Sequence, residues 1–97
     1  MTKVVNLRVD KFDVYIGRPS IFGNPFGVVK YGREGCIAEF KEYFYKRIAD
    51  AAHSVYNAEF KRRIDALKDK TLGCYCKPKA CHGDVIAEYL DKKESND

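Results

Sequence analysis

The chain has 97 residues, of which 45% are hydrophobic and 13% aromatic. This is the composition of a folded globule rather than of a disordered chain. The formal net charge is +4, from 18 basic and 14 acidic residues. That mild excess suits a small anionic ligand and does not by itself indicate a protein that binds duplex nucleic acid.

The length and the absence of a linker or repeat predict one α/β domain over residues 1–97, with residues 91–97 as a solvated tail. No apolar run approaches the roughly 20 residues that a membrane span needs. The N-terminus lacks the apolar core of a secretory signal. We therefore expect a cytoplasmic protein with no membrane partner, whose four cysteines stay reduced.

Hydrophobic periodicity predicts six elements in the order β-β-α-α-β-α. Asn57 is the expected N-cap of the second helix. Few strands and three amphipathic helices indicate a small two-layer or three-layer α/β fold, with ligand bound beyond the carboxyl ends of the strands. The expected strands cover residues 3–8, 12–17 and 71–76, and the expected helices cover residues 34–52, 57–68 and 84–93.

A long loop between the second strand and the first helix carries candidate ligand-binding residues. Residues 17–35 contain five of the seven glycines and two of the three prolines. Arg18 offers planar, bidentate recognition of phosphate or carboxylate, and Ser20 and Asn24 add hydrogen-bonding groups. The alternative is structural: Arg18 pairs with Asp13, and the phenylalanines of the loop close the core.

Three of the four cysteines and one of the two histidines lie between residues 74 and 82. Residues two apart in a strand point to the same face, so Cys74 and Cys76 could approach one ion. Cys81 and His82 would complete the four sulfur or nitrogen donors that structural zinc requires. The alternative is that the cysteines pack in the core as small hydrophobic residues.

A metal-free site is also indicated at the start of the last helix. Its unpaired amides and partial positive charge would bind an anion, with Lys77 and His82 beside it and Gly83 allowing close approach to the backbone. The same field would lower the pKa of Cys81 and make it a nucleophile. Asp84 is either a general base or a carboxylate that complements the helix dipole.

Three segments together resemble a known family. They are residues 4–8, residues 15–26 with Gly-Arg-Pro-Ser and Gly-Asn-Pro-Phe, and residues 72–84 with Gly-Cys-Tyr-Cys-Lys-Pro and Cys-His-Gly-Asp. The chain resembles domain-of-unknown-function family 4326, small proteins of prokaryotes and their phages. The resemblance implies a Rossmann-like α/β domain with a sheet and flanking helices, and it brings no established activity.

These observations lead to one main hypothesis and two alternatives. The main one is a nucleotide-related anionic ligand site between the 17–26 loop and the 77–84 loop, either enzymatic or purely binding. The second is a small zinc-stabilised domain that binds protein or nucleic acid, although no base-reading motif accompanies the basic runs 46–47 and 61–63. The third is a structural protein with no small-molecule site.

Overall fold

The computed structural model describes residues 1–95. Its elements follow the predicted order, with one turn of 3₁₀ helix at Asp50–Ala52 between the first two helices. The strands are β1 (Lys3–Asn6), β2 (Val14–Tyr15) and β3 (Thr71–Cys74), and the helices are α1 (Val28–Ala49), α2 (Val55–Asp65) and α3 (Gly83–Ser95).

The three strands form one parallel sheet in the order β1-β3-β2. The central strand β3 pairs Asn6 of β1 with Cys74 and Tyr15 of β2 with Gly73. The carboxyl ends of all three strands therefore lie at one edge of the sheet. The loops that follow β2 and β3 meet at that edge, which is where the sequence places the candidate site.

One core lies on the face of the sheet to which Leu72 and Cys74 point. All three helices contribute to it, and Phe40, Phe44 and Phe60 are its largest fully buried side chains. Aromatic rings are packed edge to face in this core, for example Phe44 on Phe60 at a centroid distance of 5.8 Å. This packing agrees with the three- and four-residue spacing of apolar residues from which the helices are predicted.

Helix α1 is interrupted near its start by Gly32, whose φ of 71° is outside the helical region. Glycine tolerates this left-handed conformation at no steric cost, and other residues rarely do. Val28–Tyr31 is therefore a separate helical turn, and the regular helix begins after Gly32. This explains why the apolar periodicity predicts a helix only from residue 34.

The N-cap of α2 is Ser54 rather than the expected Asn57. The Ser54 side chain accepts a hydrogen bond from the Asn57 backbone N–H at 3.3 Å. The Asn57 side chain instead accepts from Arg47 and donates to Asp50. The prediction of Asn57 was wrong because a serine three residues earlier already supplies the capping oxygen.

Two further expectations differ from the structure. Helix α3 runs to Ser95, two residues beyond its predicted end, and so includes residues 91–95 of the segment expected to be a solvated tail, whereas Asn96 and Asp97 lie outside the described residues. The described helices contribute to one core on one face of the sheet, while Rossmann-like sheets have helices on both. The fold is therefore a small mixed α/β domain, and a Rossmann-like fold is not confirmed.

None of the helices within residues 1–95 has the length and apolar character that crossing a membrane requires.

Replacing Ser54 by alanine tests the observed cap. The Ser54→Ala variant should lose about 1 kcal/mol of unfolding free energy in urea denaturation, because the N–H group of Asn57 loses its partner. Ser54→Asp should retain most of the stability, since aspartate caps equally well. Equal losses in both variants would contradict the assignment of Ser54 as the cap.

Candidate functional site

The two loops that follow β2 and β3 enclose a cavity of about 160 Å³. This arrangement brings together groups that lie more than 60 residues apart in the sequence, such as Arg18 and His82. Its polar and sulfur-bearing lining consists of Arg18 and Asn24 from the first loop, Arg33 from α1, and Cys76, Cys81 and His82 from the second loop.

His82 forms the buried end of this cavity and is only 8% exposed. Its Nε2 atom lies 2.7 Å from the carbonyl oxygen of Ile16, so this nitrogen carries a proton and donates. Burial lowers the pKa of His82, and the carbonyls of Ile16 and Phe22 offset only part of that effect. The imidazole is therefore a neutral hydrogen-bond donor at pH 7, and it joins the start of α3 to the end of β2.

Cys81 is 2% exposed, and its Sγ atom lies 3.4 Å from Sγ of Cys74. Burial raises the pKa of the Cys81 thiol to about 12, and the hydrogen bond with Cys74 adds to the effect. The expected lowering by the helix N-terminus was wrong, because loss of water outweighs the contact with the Gly83 N–H. At neutral pH Cys81 is a protonated thiol, a poor form for a nucleophile.

Two guanidinium groups line the cavity. Arg18 donates from Nε to the Asn24 carbonyl at 2.7 Å and from Nη2 to the Phe26 carbonyl at 3.4 Å, and Arg33 donates to the Ala80 carbonyl at 3.2 Å. The expected alternative of an Arg18–Asp13 pair was wrong, since Asp13 accepts from the Thr71 N–H instead. Within the described chain both arginines contact backbone oxygens rather than carboxylates, so their positive charges are not neutralised.

Asn24 and Ser20 shape the first loop. The Asn24 amide donates to the Cys36 carbonyl at 3.2 Å, and its oxygen accepts from the Phe26 N–H at 2.9 Å. Asn24 therefore ties the loop to α1 while also lining the cavity. Ser20 donates to the Gly17 carbonyl at 2.6 Å and lies outside the cavity lining, so the structure does not bring it to the predicted site.

Lys77 and Asp84 lie on the other side of the second loop. The Lys77 ammonium donates to the Asp84 carboxylate, whose second oxygen accepts from the Cys81 N–H at 3.1 Å. Burial lowers the pKa of Lys77, but the bond to Asp84 outweighs it and the net shift is upward. Asp84 is thus placed as the carboxylate that complements the helix dipole at the first turn of α3. Lys77 lines a different groove, next to Val4 and Asn6.

Gly83 does not offer its backbone to a ligand, contrary to expectation. It is buried, and an added Cβ atom would lie 2.6 Å from Cδ1 of Ile16 and 2.9 Å from Cγ1 of Val4. The absence of a side chain instead allows the first turn of α3 to pack directly on the ends of β1 and β2.

The four candidate zinc ligands are not arranged as a set. Strand β3 ends at Cys74, so Cys76 does not continue its alternation; it lines the cavity while Cys74 points into the core. His82 is engaged by the Ile16 carbonyl. Among the described residues no group of three or more histidine, cysteine or acidic side chains could hold a metal ion.

Arg33 is the cavity residue that the sequence did not single out. It lies between Gly32 and Gly35, in the 17–35 segment that the sequence indicates to be a loop, just before the predicted helix start at residue 34. Only the turn at Gly32 brings α1 over the second loop, where Arg33 contacts Ala80. The sequence signal that could have identified Arg33 is the pair of nearby glycines, Gly32 before it and Gly35 after it.

Comparison with known proteins agrees with the resemblance seen in the motifs. A family model described as "Domain of unknown function (DUF4326)" matches residues 2–92. The chain belongs to the DUF4326 family. It is 36% identical over 97 residues to a protein of Enterobacteria phage T4, described as an uncharacterised 12.4 kDa protein in the nrdA-td intergenic region. The match covers the whole chain and 84% of the phage protein. No solved structure matches.

The packing of Gly83 in this DUF4326 protein gives a matched pair of variants. Gly83→Ala should destabilise the fold by about 1–3 kcal/mol, because Ile16 and Val4 must move away from the new methyl group. Gly35→Ala, also helical but with its nearest neighbour at 3.4 Å, should stabilise by about 0.5–1 kcal/mol. Denaturant unfolding measures both. A neutral Gly83→Ala would show that the ends of β1 and β2 are not tightly packed on α3.

The neutral His82 predicts a specific pH dependence. Because the folded pKa is below the unfolded value near 6.5, its contribution to stability is complete above that value and is lost as the pH falls through the folded pKa. The unfolding free energy should decrease between pH 7 and pH 5.5, with a slope of at most about 1.4 kcal/mol per pH unit.

His82→Gln should remove this slope, since glutamine can still donate to the Ile16 carbonyl but does not titrate. The control is His53→Gln, which replaces the other histidine, an exposed residue between α1 and α2. A parent protein equally stable at both pH values would contradict the neutral, buried state of His82.

Proposed function

We propose that this DUF4326 protein binds a small anionic, nucleotide-related ligand in the cavity between the 17–26 loop and the 76–82 loop. The observation that carries the proposal is the convergence of two guanidinium groups, Arg18 and Arg33, on one cavity beyond the carboxyl ends of β2 and β3; neither pairs with a carboxylate within the described part of the chain. Arginine is the side chain best suited to phosphate and carboxylate recognition.

The donors of both arginines support the same conclusion. Within the described chain their hydrogen bonds use two of the five N–H donors of Arg18 and one of the five of Arg33. Those contacts hold the guanidinium groups in place, so less side-chain entropy is lost when a ligand arrives. Further donors are available for a bound oxyanion.

The cavity volume indicates which part of a ligand enters. At about 160 Å³ it is smaller than the roughly 300–1,000 Å³ of sites that enclose drug-sized molecules. A phosphate or carboxylate group would enter, and the rest of the molecule would lie along the apolar mouth formed by Phe26 and Val28. A site beyond the ends of parallel strands is also where Rossmann-like domains bind nucleotides, which supports a nucleotide-type ligand.

Binding rather than catalysis is the role that the site chemistry favours. The candidate nucleophile Cys81 is a buried, protonated thiol, and the candidate base Asp84 is engaged by Lys77 and by the Cys81 N–H. A binding site needs neither group to react. His82 and Asn24 then serve to hold the two loops at a fixed separation around the anion.

Thermal unfolding with a panel of inorganic phosphate, nucleosides and nucleoside mono-, di- and triphosphates tests the proposal. A ligand at 100 times its dissociation constant should add roughly 2.7 kcal/mol of stability, and the uncharged nucleosides should add little. Arg18→Gln and Arg33→Gln should each weaken binding by about ten- to hundredfold, because each removes a charged hydrogen-bond donor.

Arg63→Gln is the matched control, since Arg63 is an exposed arginine on α2 outside the cavity. The proposal fails if no phosphate-bearing member of the panel raises the melting temperature. It also fails if Arg18→Gln binds as tightly as Arg63→Gln does.

A further inference from the structure

The face of the sheet opposite the helices carries a second potential binding surface. Paired residues in neighbouring parallel strands point to the same side, so Val5, Gly73 and Tyr15 form one row across the sheet. Leu72 and Cys74 point into the core from the other side. Parallel sheets are usually covered on both faces, and in the described chain no helix covers this one.

Aromatic rings partly fill this open face. Phe12 lies across Gly73, where an added Cβ atom would be only 2.7 Å from its Cγ, and it is still 41% exposed. Tyr75 follows the end of β3 and is 55% exposed. Phe12 lies over Gly73, and Tyr75 packs against Tyr15, the pairing partner of Gly73, so both rings lie on this face of the sheet.

The position of Tyr75 is supported from two directions. The ring of Tyr15 packs edge on against it at a centroid distance of 6.0 Å, and the Arg8 guanidinium carbon lies 5.0 Å from its centroid. The Tyr15 hydroxyl donates to the Arg18 carbonyl at 2.7 Å, which fixes that ring. Tyr75 is therefore a half-exposed ring in a fixed place, with the planar Arg8 cation over one of its faces.

The charge of this face is complementary to an anionic partner. The Arg8 guanidinium lies over the ring of Tyr75. Lys3 precedes Val5 by two residues in β1, so its side chain points to the same side of the sheet. Asp13 lies just before β2, and its carboxylate accepts a hydrogen bond from the Thr71 N–H at 2.7 Å. Arg8 and Lys3 outnumber the Asp13 carboxylate, so these three residues give the face a net positive charge.

We infer that this face, comprising Phe12, Tyr75, Arg8 and Lys3, binds single-stranded nucleic acid. Exposed aromatic rings on a sheet accept unpaired bases by stacking, and adjacent arginine and lysine side chains bind the phosphates between them. Bases in a duplex are stacked on one another and cannot lie on the rings, so duplexes should bind weakly. The surface is separate from the cavity of Arg33 and His82.

The experiment is fluorescence anisotropy with labelled 12-nucleotide oligo(U) and oligo(dT) at 50 mM salt, with a hairpin duplex as competitor. The parent protein should bind at least one single strand and release it as the salt concentration rises. Tyr75→Ala should weaken binding by roughly tenfold, and Tyr75→Phe should restore it, because stacking needs the ring and not the hydroxyl. Arg8→Gln should reduce the salt dependence.

Tyr56→Ala is the matched control, since Tyr56 is a tyrosine of α2 that is 82% exposed and remote from the sheet. A preference for oligo(U) or for oligo(dT) would identify the partner as RNA or DNA. The inference is overturned if neither oligonucleotide binds, if the duplex competes equally, or if Tyr75→Ala and Tyr56→Ala bind alike. It is also overturned if sedimentation shows a dimer that Tyr75→Ala dissociates, because a second copy would then cover this face.

Discussion

The hydrogen bond between Nε2 of His82 and the carbonyl oxygen of Ile16 is the contact on which the geometry of the site depends. It joins the first turn of α3 to the residue after β2, and so brings the 17–26 loop beside the loop that follows β3. Both groups are buried, so loss of the donor would leave an unsatisfied carbonyl oxygen in the core. Burial also keeps the imidazole neutral, although the carbonyls of Ile16 and Phe22 favour its charged form.

Most other polar groups at the strand ends hold the backbone in the same way. Asn6 donates to the Lys77 carbonyl at 2.7 Å, Asn24 ties its loop to α1, and Asp84 bridges Lys77 and the Cys81 N–H. Because these groups form hydrogen bonds within the protein, they fix the shape of the loops and offer few donors or acceptors to a ligand. The guanidinium groups of Arg18 and Arg33 differ, since they line the cavity and have no carboxylate partner among the residues that the structure describes.

The order of the elements and the meeting of the two loops could be predicted from the sequence, because apolar periodicity and glycine clusters are local signals. The roles of individual residues could not. Cys81 and Gly83 look like site residues in the motif, yet one is buried against Cys74 and the other against Ile16. Burial and contact partners depend on how distant segments pack, and no spacing in the sequence reports them. Arg33 was missed for the same reason.

The small sheet explains why one domain can present two different surfaces. Three helices cover one face and bury Leu72 and Cys74, while Gly73 between them leaves space on the other face for the ring of Phe12. The carboxyl edge gives a narrow, cationic cavity that suits the charged end of a small molecule. The open face gives exposed rings that suit unpaired bases. Since Tyr15 supports Tyr75 and also donates to the Arg18 carbonyl, the two surfaces share one structural residue.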